Sequence, residues 1–166
     1  MSTRSYIAQT LVDRKETENV KSDDLQYIYC HFDGYIKNGV GETLLKYYSE
    51  KEDINKIFEH GDISSLPEDP DNIREQAYKD RPAQIEHEYL LMRNLSGDIM
   101  IEYIYLFKDN KWHVSYLIME SDESEEEEIS YFGYKSYHTK FFELEKEYIA
   151  EKELKDEEDT VDGREN

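Results

Sequence analysis

Short apolar and aromatic runs separated by polar stretches set the expected order of elements. Residues 5–12 (SYIAQTLV) and 25–32 (LQYIYCHF) are rich in β-branched and aromatic side chains and read as two strands. The connection between them is almost wholly polar, which predicts antiparallel neighbours. Side chains alternate along a strand, so Ile28, Cys30 and Phe32 are expected to face the core, with Tyr27, Tyr29 and His31 opposite. After the Asp33-Gly34 turn, Asn38 is a predicted helix cap, and Val40, Leu44, Leu45, Tyr47 and Tyr48 fall at helical spacing. Ser49 with Glu52 forms a capping-box pattern for a second short helix carrying Ile54, Ile57 and Phe58, which Gly61 ends. All three prolines lie in 62–82, read as loop with a helical turn or two at 72–78.

From residue 86 the pattern changes. Residues 88–94 (EYLLMRN), 99–108 (IMIEYIYLFK) and 111–120 (KWHVSYLIME) read as a three-stranded meander, and 99–107, apolar on both faces, as its central strand. Tyr137, Phe141, Leu144 and Tyr148 recur at helical intervals, widened by Phe142 and Ile149. The expected fold is α+β: an antiparallel sheet of about five strands, two short helices after strand 2 and a C-terminal acidic amphipathic helix. The expected organisation is a core domain over 1–119, an acidic loop over 120–128, an aromatic segment and docked helix over 129–155, and a disordered acidic tail over 156–166.

Charge alters this picture more than composition does. The chain holds 40 acidic and 20 basic side chains, a formal charge of −20. Phosphate would be repelled, so direct nucleic-acid binding is excluded and a cationic partner is implied. Residues 1–119 contain 22 acids and 14 bases; residues 120–166 contain 18 and 6, a net of −12. Over 143–159, nine acids and three lysines give, at about 1.5 Å per helical residue, roughly one net charge per 4 Å. One DNA strand carries one per about 3.4 Å. The candidate partner-binding residues are Glu120, Asp122, Glu123, Glu125, Glu126, Glu127 and Glu128 of the loop, Glu143, Glu147 and Glu151 of the helix, and Tyr131 and Tyr134 between them. Tyrosine supplies rigid contact area at low entropy cost, and the chain has 15 of them. The competing reading is a solvated helix face, with pairs such as Glu151 and Lys155 blunting the field.

Candidate chemistry is sparse. Cys30 is the single cysteine, which excludes an intrachain disulfide and suits a reducing compartment. No signal peptide and no apolar run long enough to span a membrane are present. Cys30 and His31 are adjacent and face opposite ways on a strand, so they do not form a thiolate–imidazole pair. His31 and Asp33 can share a face, which makes them the alternative site, as metal ligands or as an acid and base pair. Gly34, Gly39 and Gly41 precede a helix without the Lys-Ser/Thr of a P-loop. Trp112 reads as core or sheet-face anchor. No cofactor is implied.

The runs MSTRSYIA (1–8), YCHFDGY (29–35), LLKYY (44–48) and GDISSL (61–66), with EYIYLF (102–107) and Lys111-Trp112, resemble a family of small uncharacterised proteins from bacteria and their phages. Phe32 stands where that pattern has tryptophan, and the region from Glu120 lies outside it. The resemblance implies a mobile-element origin and a cytoplasmic place in the host bacterial cell. By analogy with small acidic phage proteins, it implies an anti-defence inhibitor, anti-CRISPR or anti-restriction, acting by DNA mimicry on a CRISPR effector nuclease or restriction enzyme. Self-association as a homodimer stays open.

Overall fold

The computed structural model describes residues 2–11, 24–95, 98–121 and 134–164. In chain order these form β1 (Ser5–Thr10), β2 (Asp24–Cys30), α1 (Val40–Tyr47), α2 (Lys51–Glu59) and α3 (Ile73–Gln76), the last preceded by a 3₁₀ turn at Pro70–Asn72. Then come β3 (Gln84–His87), α4 (Glu88–Leu95), β4 (Tyr103–Lys108), β5 (Lys111–Ser121), β6 (Tyr134–His138), β7 (Phe142–Glu143) and α5 (Leu144–Arg164).

The sheet is mixed and has seven strands among the described residues, which corrects the expected antiparallel sheet of about five. Its order is β3-β2-β1-β4-β5-β6, with β7 also paired to β5. β1 and β2 are antiparallel neighbours as expected, Tyr6 opposite Tyr29, but β1 and β4 run parallel, Ile7 opposite Tyr105. Parallel neighbours need a crossover connection, and everything from α1 to α4 lies within it. Two of the added strands are edge pieces: β3 pairs with β2, and β6 with β5. Three residues, 139–141, stand opposite Ser115 and Tyr116 between the β6 and β7 pairings. This bulge lets the Thr139 hydroxyl accept from the Tyr116 amide at 3.2 Å.

Each face of the sheet has its own core. Ile7, Ile28, Cys30, Tyr105 and Val114 pack with Val40 and Leu44 of α1 and Ile54 and Ile57 of α2. Ala8, Leu25, Ile104 and Leu106 pack on the other side with Leu91 and Leu95 of α4. β4 is thus central and buried on both faces, as its apolar run predicts. The run 88–94, expected as a strand, is helical because Leu91 and Leu95, four apart, cover that second face. Polar tips of the buried aromatics are bonded: Trp112 Nε1 donates to the Tyr48 carbonyl (2.9 Å), and the Tyr48 hydroxyl to the Pro67 carbonyl (2.7 Å).

The helix starts differ from the expected caps. Asn38 sits at φ 60 and Gly39 is the N-cap of α1, without a side-chain bond. The loop caps α1 instead: the amides of Val40, Gly41 and Glu42 donate to the carbonyls of Asp33, Tyr35 and Ile36 at 2.7–3.0 Å. A Cβ at residue 39 would meet the Asp33 and Tyr35 backbone, so this glycine permits a tight turn. For α2 the N-cap is Glu50, again without a side-chain bond, and the Ser49/Glu52 box does not form. Phe32, expected in the core, is 45% exposed. β2 ends at Cys30, and the following amides donate to Ile63 and Ser64 carbonyls, which turns the chain out of the sheet plane. The helix α5 begins at Leu144, so Tyr137 lies in β6 and Phe141 in the bulge; its backbone continues to Arg164, through most of the expected tail. No helix among the described residues is long and apolar enough to cross a membrane.

Candidate functional site

The predicted acidic face divides into acids that serve the fold and acids that are free. Asp122, Glu123, Glu125, Glu126, Glu127, Glu128 and Tyr131 lie outside the described residues, as does the side chain of Tyr134. Glu120 is exposed on β5, opposite Lys135 of β6, and accepts from the Tyr137 hydroxyl at 3.1 Å. Glu143 stands on β7 between Lys111 (3.6 Å) and Lys146 (3.4 Å), and Lys111 first of all holds its carboxyl below the usual range. Glu147 and Glu151 are half-buried where α5 meets the sheet. Burial pushes the Glu151 carboxyl up, and its charge in turn helps raise Tyr103. On the described part of α5, Glu145 and Glu153 are the acids that stand free in solvent.

The pair singled out as the alternative site is not assembled as a pair. The Tyr29 hydroxyl lies 2.7 Å from Nδ1 of His31 and the Ser2 hydroxyl 3.2 Å from Nε2, so protein groups occupy both ring nitrogens. Asp33 is an exposed turn residue at φ 57 whose carbonyl caps α1. Among the described residues no group of three His, Cys, Asp or Glu side chains is gathered as for a metal ion.

A cleft that sequence reasoning passed over opens on the tyrosine side of β1 and β2, with a volume of about 590 Å³. Tyr6, Tyr27 and Tyr29 line it, Tyr6 lying 5.2 Å from Tyr27 and edge-on to Tyr29 at 6.3 Å. Strand alternation puts these three rings on one face, and the Tyr6–Tyr29 register brings them together. Opposite them stands Arg81. Its Nε donates to Asp62 Oδ2 at 2.9 Å, and its guanidinium lies 4.6 Å from the Tyr78 ring and 5.5 Å from that of Tyr29. Asp62 is itself fixed, since its Oδ1 accepts from the Tyr29 amide (2.8 Å) and its own amide donates to the Arg81 carbonyl (2.8 Å). Gly61, at φ 79, makes that clasp possible: any Cβ there would run into the Arg81 carbonyl.

Arg4 also lines the cleft, its Nη1 donating to Met100 Sδ at 3.4 Å. The cleft draws on residues 4, 62 and 81, distant in sequence and individually unremarked; the tyrosine alternation of β2 was the one legible signal. Comparison with protein families, with characterised proteins and with solved structures finds no match.

Proposed function

We propose that the protein is a non-enzymatic inhibitor of the anti-defence type, which occupies the basic nucleic-acid-binding surface of a host nuclease such as a CRISPR effector or restriction enzyme. The observation that carries this reading is the charge asymmetry, 18 acids against 6 bases in residues 120–166. Of its acids, six lie in sequence between β5 and β6, and Glu145 and Glu153 are exposed on α5, whose 21 residues span about 31 Å at 1.5 Å each. A concentrated negative field speeds association with a cationic surface, and exposed aromatic residues beside it, Tyr137 at 36% exposure among them, supply contact area that slows release.

The test replaces the seven acids of 120–128 and Glu145 and Glu153 by their amides and titrates both proteins against a panel of such nucleases at rising salt. Deletion of 120–166 is the wrong instrument, because it removes the buried Leu144 and two strands. The expected result is wild-type binding whose association rate falls with salt, and a loss of at least about tenfold in that rate for the amide variant. No binding to any panel member, or equal binding by the variant, overturns the proposal.

A further inference from the structure

The tyrosine cleft sets two arginines, Arg4 and Arg81, among three aspartates, Asp62, Asp80 and Asp98. In a chain carrying 40 acids to 20 bases, two arginines stand in one cleft with unused donors. Arg81 spends Nε on Asp62 and stacks on tyrosine, which leaves its terminal amino groups without an acceptor among the described residues. Arg4 has no carboxylate within ion-pair distance there, and a thioether is a weak acceptor. Arg81 lies 5.5 Å from the Tyr29 ring, and both arginines line the cleft.

Three carboxylates line the cleft with the arginines. Asp62 is held by Arg81 and the Tyr29 amide, Asp98 Oδ1 accepts from the Met100 amide at 2.9 Å, and Asp80 is exposed in a left-handed turn. Charges farther off, including the acidic third of the chain, are screened over about 8 Å at physiological ionic strength. A volume of about 590 Å³ falls within the roughly 300–1,000 Å³ of small-molecule sites. The Arg81 fork is pre-oriented by Asp62, and a planar guanidinium matches the oxygens of phosphate.

We propose that this cleft binds a small planar heterocycle bearing a phosphate, the chemistry of a nucleoside monophosphate, with Arg4 and Arg81 on the phosphate and the Tyr6 and Tyr27 rings against the base. Two of the tyrosine hydroxyls are bonded to the protein, Tyr27 donating to Gln84 Oε1 (2.6 Å) and Tyr29 paired with His31 Nδ1 (2.7 Å). The ring orientations are therefore set before the ligand arrives, which lowers the ordering cost of binding. The site is separate from the acidic surface and binds without it.

The experiment is calorimetric titration of the full chain with AMP, GMP, CMP and UMP, the matching nucleosides, inorganic phosphate and tetramethylammonium. At least one nucleotide is expected to bind saturably, one per chain, with its nucleoside and phosphate alone each at least about tenfold weaker. Arg4→Gln is expected to weaken that binding at least about tenfold, the scale of a charge-assisted contact, with an unchanged melting temperature because Arg4 holds no ion pair. Arg81→Lys, which keeps the charge and loses the fork, weakens it as well. The acid-to-amide variant described above binds the nucleotide as wild type does, so this proposal and the inhibitor reading fail separately. Any of three results overturns the proposal: no nucleotide binding at millimolar concentration, wild-type affinity in Arg4→Gln, or preferential binding of tetramethylammonium as in an aromatic cation cage.

Discussion

Tyr105→Phe removes one oxygen from the middle of the sheet and tests how the loop that launches α1 is held. Tyr105 is fully buried, and its hydroxyl donates to the Gly34 carbonyl at 2.6 Å. That bond ties β4 to the loop whose Asp33 and Tyr35 carbonyls cap α1. Phenylalanine keeps the ring and its packing, so the lost term is the hydrogen bond and the exposure of a buried carbonyl to an apolar neighbour. An unsatisfied buried acceptor costs about 1–3 kcal/mol, and for a chain of 166 residues each kcal/mol lowers the melting temperature by about 2–4 °C. A drop of about 2–12 °C is expected by calorimetry, with faster hydrogen exchange at the Val40 and Gly41 amides. Tyr103→Phe is the control. Tyr103 stacks on Tyr105 with centroids 6.1 Å apart, and burial pushes its hydroxyl up to about 12. Its loss is expected to stay within about 0.5 kcal/mol, since no buried acceptor is left behind. Equal losses in the two variants, or a neutral Tyr105→Phe, would refute the view that this bond anchors the loop.

Cys30 is fully buried, and burial pushes its thiol up to about 12. It is expected to resist a thiol-specific disulfide reagent at pH 8 in the native protein and react fully in denaturant; rapid native labelling would contradict the core assignment of β2. At the junction of α1 and α5, two carboxyls are shifted in opposite directions. The Tyr148 hydroxyl donates to Glu42 and is the main cause that lowers it, whereas burial raises Glu151. Glu42 therefore adds stability that is present above its unfolded value of 4.5 and is lost as pH falls through its lower folded value. Glu151 does the reverse, favouring the fold at low pH and costing stability as pH rises through its raised folded value. At pH 7, Glu42→Gln is expected to lose and Glu151→Gln to gain about 0.5 kcal/mol each after solvent screening. Urea unfolding should show both differences shrinking below the carboxylate range. The same sign for the two variants would sink this account.

Periodicity made β1, β2, β4, β5 and the first two helices legible, because each buries a face at its own repeat. Two kinds of feature escaped it. The run 88–94 has helical and strand content alike at that length, and only the need to cover Ala8, Leu25, Ile104 and Leu106 from the second side makes it a helix. β3 and β6 are edge strands, and Gln84–His87 is largely polar, so neither has the alternation of a half-buried strand. The parallel pairing of β1 with β4 is a property of the crossover and leaves no mark in either strand. The Asn38 cap failed for a related reason: loop carbonyls at Asp33, Tyr35 and Ile36 had already met the α1 amides. At the candidate sites, charge density was visible and commitment was not. Nothing in the sequence distinguishes Glu143, held between two lysines, from Glu145, which is exposed.

That difference bears on how an acidic protein of this kind can remain folded while presenting charge. The acids nearest the sheet are the ones most neutralised: Glu143 by Lys111 and Lys146, and Glu42 through Tyr148 and Lys46. Burial raises the Glu151 carboxyl, and its field raises the hydroxyls of Tyr103 and Tyr105. The root of α5 is thus electrostatically quiet, and self-repulsion is moved outward along the helix, where solvent and salt screen it. A helix packed through Leu144 can hold exposed carboxylates such as Glu145 and Glu153 at little cost to the core. The reading as a binding surface accordingly rests on Glu145, Glu153 and the acids of 120–128, whereas Glu147 and Glu151 are half-buried at the base of the helix.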